Sequence, residues 1–118
     1  MLKTAQKLFE YVNTEILSDF KVDSGNHSLE VVRLDSGNVF RFKYHQSTIV
    51  SFKLNNSKQI VKSSETFISD CGYDTNSTKR AIGAYIELIF RGFTDPFKHF
   101  KVDSEYAEGT IHQIETLL

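Results

Sequence analysis

The run VFRFKYHQSTIVSFKL, residues 39–54, constrains this chain more than any other feature. Apolar and polar side chains alternate on both sides of a short polar break, the pattern of a β-hairpin that buries one face. A three-residue loop, Tyr44 to Gln46, sets Phe42 opposite Thr48 and Phe40 opposite Val50, with Phe52 and Leu54 continuing the apolar side. Arg41, Lys43, Ser47, Ser51 and Lys53 then share the other side, with Ile49 as its one apolar member. A two-residue loop would mix the two sets, so the demand for one clean buried face favours the longer loop. The expectation is a basic, exposed sheet face.

Two further segments extend the sheet into an antiparallel meander of three or four strands. LEVVR (Leu29 to Arg33) precedes the hairpin, a last strand falls within Gln59 to Ser69, and LDSGN, YHQS and NNSK separate the strands as turns. Before the meander, Leu2, Ala5, Leu8, Phe9, Val12, Ile16 and Leu17 recur at helical spacing, which predicts a helix ending near Ser18. After it, Ala81, Ile82, Ala84, Tyr85, Ile86, Leu88, Ile89, Phe90 and Phe93 form a stripe so wide that only Arg80, Gly83, Glu87 and Arg91 remain polar. That is a central core helix, begun within DTNST and ended by Gly92 in a positive-φ conformation and by Pro96. Ala107, Ile111, Ile114 and Leu118 fit a terminal amphipathic helix. The fold class is therefore α+β in one domain: an N-terminal helix, a meander, a long core helix packed on the sheet and a C-terminal helix. FKVDS (Phe20 to Ser24, Phe100 to Ser104) and DSGN (Asp23 to Asn26, Asp35 to Asn38) each occur twice, but their flanks do not align and they read as reused turn chemistry.

Several classes of function lack their residues. The chain has 118 residues, enough for one core, and a single cysteine, Cys71, which forms neither an internal disulfide nor a thiolate cluster. His27, His45, His99 and His112 are scattered without metal-ligand spacing, and there is neither a Walker loop nor a GxGxxG run. No cofactor and no metal are expected. No apolar run approaches a membrane span, and the N-terminus does not resemble a signal peptide, which points to the cytoplasm. Cys71 lies just before a helix start that could stabilise a thiolate, but it has no histidine near it in sequence, and a lone cysteine is ordinarily a small buried hydrophobe. The reading is a chain that binds and does not catalyse.

Charge and capping residues suggest where it binds. From Arg33 to Lys62 the cations Arg33, Arg41, Lys43, Lys53, Lys58 and Lys62 face one anion, Asp35, whereas the stretch from Asp103 onward has acidic residues and no lysine or arginine. In CGYDTNSTKR, residues 71–80, Tyr73, Thr75, Ser77, Thr78, Lys79 and Arg80 surround a helix N-terminus, whose open N–H groups and partial positive charge suit phosphate. The alternative is an ordinary cap, with Thr75, Asn76 or Ser77 closing the helix, Tyr73 sealing its end and the cations solvated.

FRFKYHQS, TIVSFKLNNS and CGYDTNSTKRAI together resemble a small domain family borne by phages and plasmids, over about Val31 to Ile86. Gly72, Tyr73, Thr75, Thr78 and Lys79 are the matching positions; the family shows a second glycine where this chain has Cys71. The order of helix, strands and helix with a basic second-helix start is also similar in outline to double-stranded-RNA-binding domains. The first resemblance implies an accessory protein of a phage or mobile element that binds and inhibits a host protein, or a protein–nucleic-acid complex, such as a CRISPR effector. The alternative is nucleic-acid binding through Arg41, Lys43, Lys53, Lys79 and Arg80, with a steep loss of affinity in salt. The wide apolar belt of the core helix calls for a cover, either the terminal helix or a second copy of the chain.

Overall fold

The computed structural model describes residues 2–73 and 75–93, and the backbone of 101–102. Helix α1 (Lys3–Phe9) passes into a 3₁₀ turn (Glu10–Asn13), and strands β1 (Phe20–Ser24), β2 (His27–Leu34), β3 (Gly37–Tyr44) and β4 (Ser47–Asn55) follow as an antiparallel meander. Two short strands, β5 (Ile60–Val61) and β6 (Phe67–Ile68), both pair with β4. Helix α2 (Asn76–Gly92) comes next, and β7 (Lys101–Val102) lies parallel to β6. The architecture is α+β, as the patterning predicts. The predicted terminal helix, Ala107 to Leu118, lies outside the described residues.

Both helices lie on one face of the sheet, and one aromatic cluster joins the layers. Phe9 stacks on Phe42 at 5.6 Å between ring centroids, Phe42 meets Tyr85 at 4.6 Å, and Phe52 stacks with Phe40 at 5.4 Å. Leu8, Leu29, Ile68, Ile82 and Ile89 are buried around these rings. Burial of side chains of this size contributes about 1.5–3 kcal/mol each, so the layer contact dominates stability.

Helix α1 is shorter than its apolar spacing predicts. The Thr14 hydroxyl and N–H both donate to the Tyr11 carbonyl, at 2.7 and 3.1 Å, and Thr14 itself is extended. Tyr11, Val12, Asn13 and Thr14 are all modest helix formers, and a threonine hydroxyl that takes a backbone carbonyl competes with the next turn. Val12 and Ile16 still reach the core, whereas Leu17 is 71% exposed. The freed chain runs into β1, a strand where FKVDS reads in sequence as turn chemistry. Gly25, at φ +62°, helps make the tight turn from Ser24 to His27.

The central hairpin departs from the predicted loop in an instructive way. Tyr44 pairs with Ser47, so the loop is the two residues His45 and Gln46, with φ of 49° and 71°. These twin positive angles are those of the turn that matches strand twist. The feared mixing of faces is avoided because the register shifts after Lys43 and Thr48, and Phe42 then pairs with Val50 and Phe40 with Phe52. A bulge gives β4 one residue more than β3, so a tight loop and a clean apolar face coexist. Ile49, expected on the exposed face, is that extra residue and is buried in the core. Ser47 leaves the basic face as well.

The opposite sheet face is not the open cationic surface predicted. The chain between β5 and β6 crosses it: the Ser51 hydroxyl donates to the Glu65 carbonyl, and the Thr66 hydroxyl accepts from Lys53 N–H at 3.1 Å and donates to the Val61 carbonyl at 2.9 Å. Ser51, Thr66 and Val39 are all buried.

The ends of α2 divide in the same manner. Its start is capped by Thr75, whose hydroxyl accepts from Thr78 N–H at 3.2 Å. At its end Gly92 is the last helical residue, without a positive φ, and the helix stops as Phe93 turns extended. The predicted glycine stop is therefore replaced by a change at Phe93.

Candidate functional site

The β3–β4 turn and the start of α2 face each other across a cleft of about 270 Å³. Tyr44, His45, Ser47 and Ile49 form the turn side. Tyr73, Thr75, Ser77 and Thr78 form the helix side, with Asp70 between them. The bulge creates this site as well as the buried face, since it brings Ser47 and Ile49 to the cleft beside Tyr44.

The helix side is held by short-range hydrogen bonds. Thr75 Oγ1 lies 2.8 Å from Thr78 Oγ1 and 3.2 Å from Ser77 Oγ, so one cap residue organises two neighbouring hydroxyls. Upstream, Gly72 N–H donates to Asp70 Oδ1 at 2.9 Å and Tyr73 N–H to the Asp70 carbonyl at 2.9 Å, folding the chain back before the helix. Cys71 and Gly72 sit at φ of +55° and +82° within that turn. A left-handed angle at residue 71 is what a glycine adopts without steric cost. Cys71 is exposed, contrary to the buried role expected of a lone cysteine. Its thiol donates to the Thr48 carbonyl at 3.1 Å.

Beneath the cleft lies a buried polar pair. His27 Nδ1 and the Tyr85 hydroxyl share a hydrogen bond of 2.8 Å, and the His27 ring packs on Tyr44 at 4.9 Å. Burial, with a smaller contribution from the nearby His45, holds His27 below the ordinary imidazole value, and burial pushes the Tyr85 phenol well above its own. Both groups therefore stay neutral near pH 7.

The predicted binding residues separate into three groups. Tyr73, Thr75, Ser77 and Thr78 come together in the cleft. Lys79 and Arg80, on the following turn of α2, do not line it. Arg41, Lys43 and Lys53 are on the far side of the sheet, engaged with other groups. Arg41 bonds Glu30 at 2.7 Å and Glu65 at 3.0 Å, Lys43 Nζ lies 3.8 Å from Glu30, and Lys53 Nζ donates to Ser36 Oγ at 2.6 Å. The Arg41 hydrogen bond holds the Glu30 carboxyl below its ordinary value, and the Glu30 bond in turn raises Arg41. The quartet of Arg41, Lys43, Glu30 and Glu65 carries no net charge, so the cationic stripe read along the sequence is locally neutralised.

Tyr44, His45, Asp70 and Ile49 are the site residues that sequence reading missed. The polar HQ pair between two strands is the signal for a two-residue turn, but no sequence signal announces the bulge. Among the described residues there is no cluster of three or more groups able to hold a metal, and no helix long and apolar enough to cross a membrane.

Fold and site together define a two-layer α+β domain with a small polar cleft at the start of its core helix. No family model, curated protein or solved structure matches the chain.

Proposed function

We propose that this chain is a non-enzymatic accessory protein of a phage or mobile element that binds and inhibits a host protein, with the cleft at the start of α2 as its contact. A component of a host defence system, such as a CRISPR effector, is the target class that the family resemblance suggests. The supporting observation is convergence: the stretches that carry the resemblance, the continuous FRFKYHQSTIVSFKLNNS at 40–57 and CGYDTNSTKRAI at 71–82, meet around one cleft with Tyr73, 58% exposed, at its edge. An exposed tyrosine beside a small cleft is a common anchor for protein partners. The nucleic-acid reading loses support from the sheet face, because Glu30 and Glu65 engage Arg41 and Lys43 there.

The test is capture from nuclease-treated host lysate at low and high salt, with the wild-type chain and a Tyr73→Ala/Ser77→Arg variant as baits. A protein retained by the wild type at both salt strengths and lost from the variant supports the proposal, provided the variant keeps its far-ultraviolet spectrum and melting temperature. A partner released by salt, or indifferent to the two substitutions, sinks it.

A further inference from the structure

We propose that the cleft at the start of α2 receives an arginine side chain presented by the protein partner, with Asp70 as its counter-ion and Tyr73 as the surface on which the guanidinium stacks. This rests on the protein-binding reading above and specifies what that partner must present.

Asp70 carries the inference. Its residue is 2% exposed and yet lines the cleft. One carboxylate oxygen, Oδ1, accepts from Gly72 N–H. Among the described residues no other donor reaches the carboxylate and no lysine or arginine pairs with it. Buried carboxylates are ordinarily paired with a cation or bonded at both oxygens, because leaving one unsatisfied costs several kcal/mol. The cleft that Asp70 lines is the approach by which such a partner would reach it.

The rest of the lining selects the kind of cation. Among the described residues it contains no lysine or arginine, and it offers hydroxyl oxygens on Ser47, Ser77 and Thr78. A guanidinium has five donors fanned in a plane and can use dispersed acceptors, whereas an ammonium is a compact point charge. Tyr73 supplies an exposed aromatic face at the edge, where a planar cation gains further attraction. At about 270 Å³ the cleft is below the range of drug-sized ligand sites and suits one long side chain. Phosphate, which the helix start alone would favour, meets the Asp70 carboxylate in the same cleft, and the capping hydroxyl of Thr75 has already taken Thr78 N–H.

The experiment is a titration of the isotope-labelled protein, followed by amide chemical shifts, with N-acetyl-arginine amide, the neutral isostere N-acetyl-citrulline amide, and inorganic phosphate. The expected result is saturable movement of the Ser47, Gly72, Ser77 and Thr78 amides at millimolar arginine, with citrulline at least tenfold weaker. Asp70→Asn, which keeps an oxygen for Gly72 N–H, should lose at least tenfold in arginine affinity without a fall in unfolding midpoint. Tyr73→Ala, at an exposed position, should weaken binding several-fold. Equal binding of citrulline, movement with phosphate in place of arginine, or no movement with any probe would each overturn the inference. Because the titration uses no host protein, failure here alongside cleft-dependent capture rejects only the arginine assignment, and saturable arginine binding without captured partner rejects only the wider proposal.

Discussion

Replacing Glu30 and Glu65 together by glutamine should turn a neutral sheet face into a nucleic-acid-binding one. In the wild type, Arg41 is held between the two carboxylates at 2.7 and 3.0 Å, and Lys43 lies 3.8 Å from Glu30. Glutamine keeps an acceptor oxygen for each Arg41 bond and removes both negative charges, so local charge rises by two with little change of shape. Two cations newly available to phosphate add about −1.8 to the slope of log K against log salt on duplex DNA, at about −0.9 per phosphate neutralised. Over a fourfold change in salt, from about 50 to 200 mM, that slope corresponds to roughly tenfold in affinity. The pairs are partly exposed, so their loss should cost only about 0.5–1 kcal/mol each, leaving the domain folded. Fluorescence anisotropy with random-sequence duplexes, across that salt range, reads the difference in slope between variant and wild type. Any contribution from Lys79 and Arg80 is common to both and cancels. Arg41→Ala/Lys43→Ala placed in the glutamine background should remove the gain. Equal slopes for the wild type and the glutamine variant would refute the claim that ion pairing silences this face.

Two further outcomes follow from backbone contact and from burial. Gly37→Ala should destabilise the fold by about 2–5 kcal/mol in urea unfolding, since a Cβ there would lie 1.9 Å from the Leu54 carbonyl oxygen at φ +144°; Gly83→Ala, with nothing within 4 Å in mid-helix, should instead stabilise by about 0.5–1 kcal/mol. His27, held below the ordinary imidazole value of 6.5 in the folded state, contributes stability that is present above that pH and is lost as pH falls through the folded value. Unfolding free energies from urea titrations should therefore decline from pH 6.5 toward 5 by at most about 1.4 kcal/mol per pH unit, and a His27→Gln variant should lose most of that slope; an unchanged slope would show that the His27–Tyr85 pair does not set it.

What could be read from the chain, and what could not, turns on the range of the signal. The stripe from Ala81 to Ile89 and the alternation of Phe40, Phe42, Val50 and Phe52 are periodic over many residues, so one misplaced position does not disturb them. The end of α1 was decided by one hydroxyl, that of Thr14, and a local competition of that kind leaves the apolar spacing around it intact. Strand β1 was concealed because FKVDS is short and sits between turn residues, although Phe20 and Val22 do alternate with Lys21 and Asp23. The charge reading failed for a different reason. Sequence proximity groups Arg41, Lys43 and Lys53 as a basic segment, but in a sheet the neighbours that matter lie across strands and loops: Glu30 sits opposite Arg41 in the register and Glu65 arrives from the β5–β6 crossing.

The cleft shows the same rule acting in the other direction. CGYDTNSTKR announced a helix start and supplied Tyr73, Thr75, Ser77 and Thr78, yet taken alone it favoured an anion. Asp70 lies one residue before that stretch, and Ser47 comes from a hairpin more than twenty residues away; their arrival reverses the sign of the ligand that fits. A helix N-terminus supplies only a partial charge, spread over a turn of peptide N–H groups, one of which is already capped by Thr75. Set against that partial charge, a buried carboxyl group with one bonded oxygen favours a cation over an anion in the proposed reading. In the proposed reading the chemistry of this site is therefore governed by the one carboxyl group that folding places where water has little access, and the capping residues serve to hold its neighbours in position.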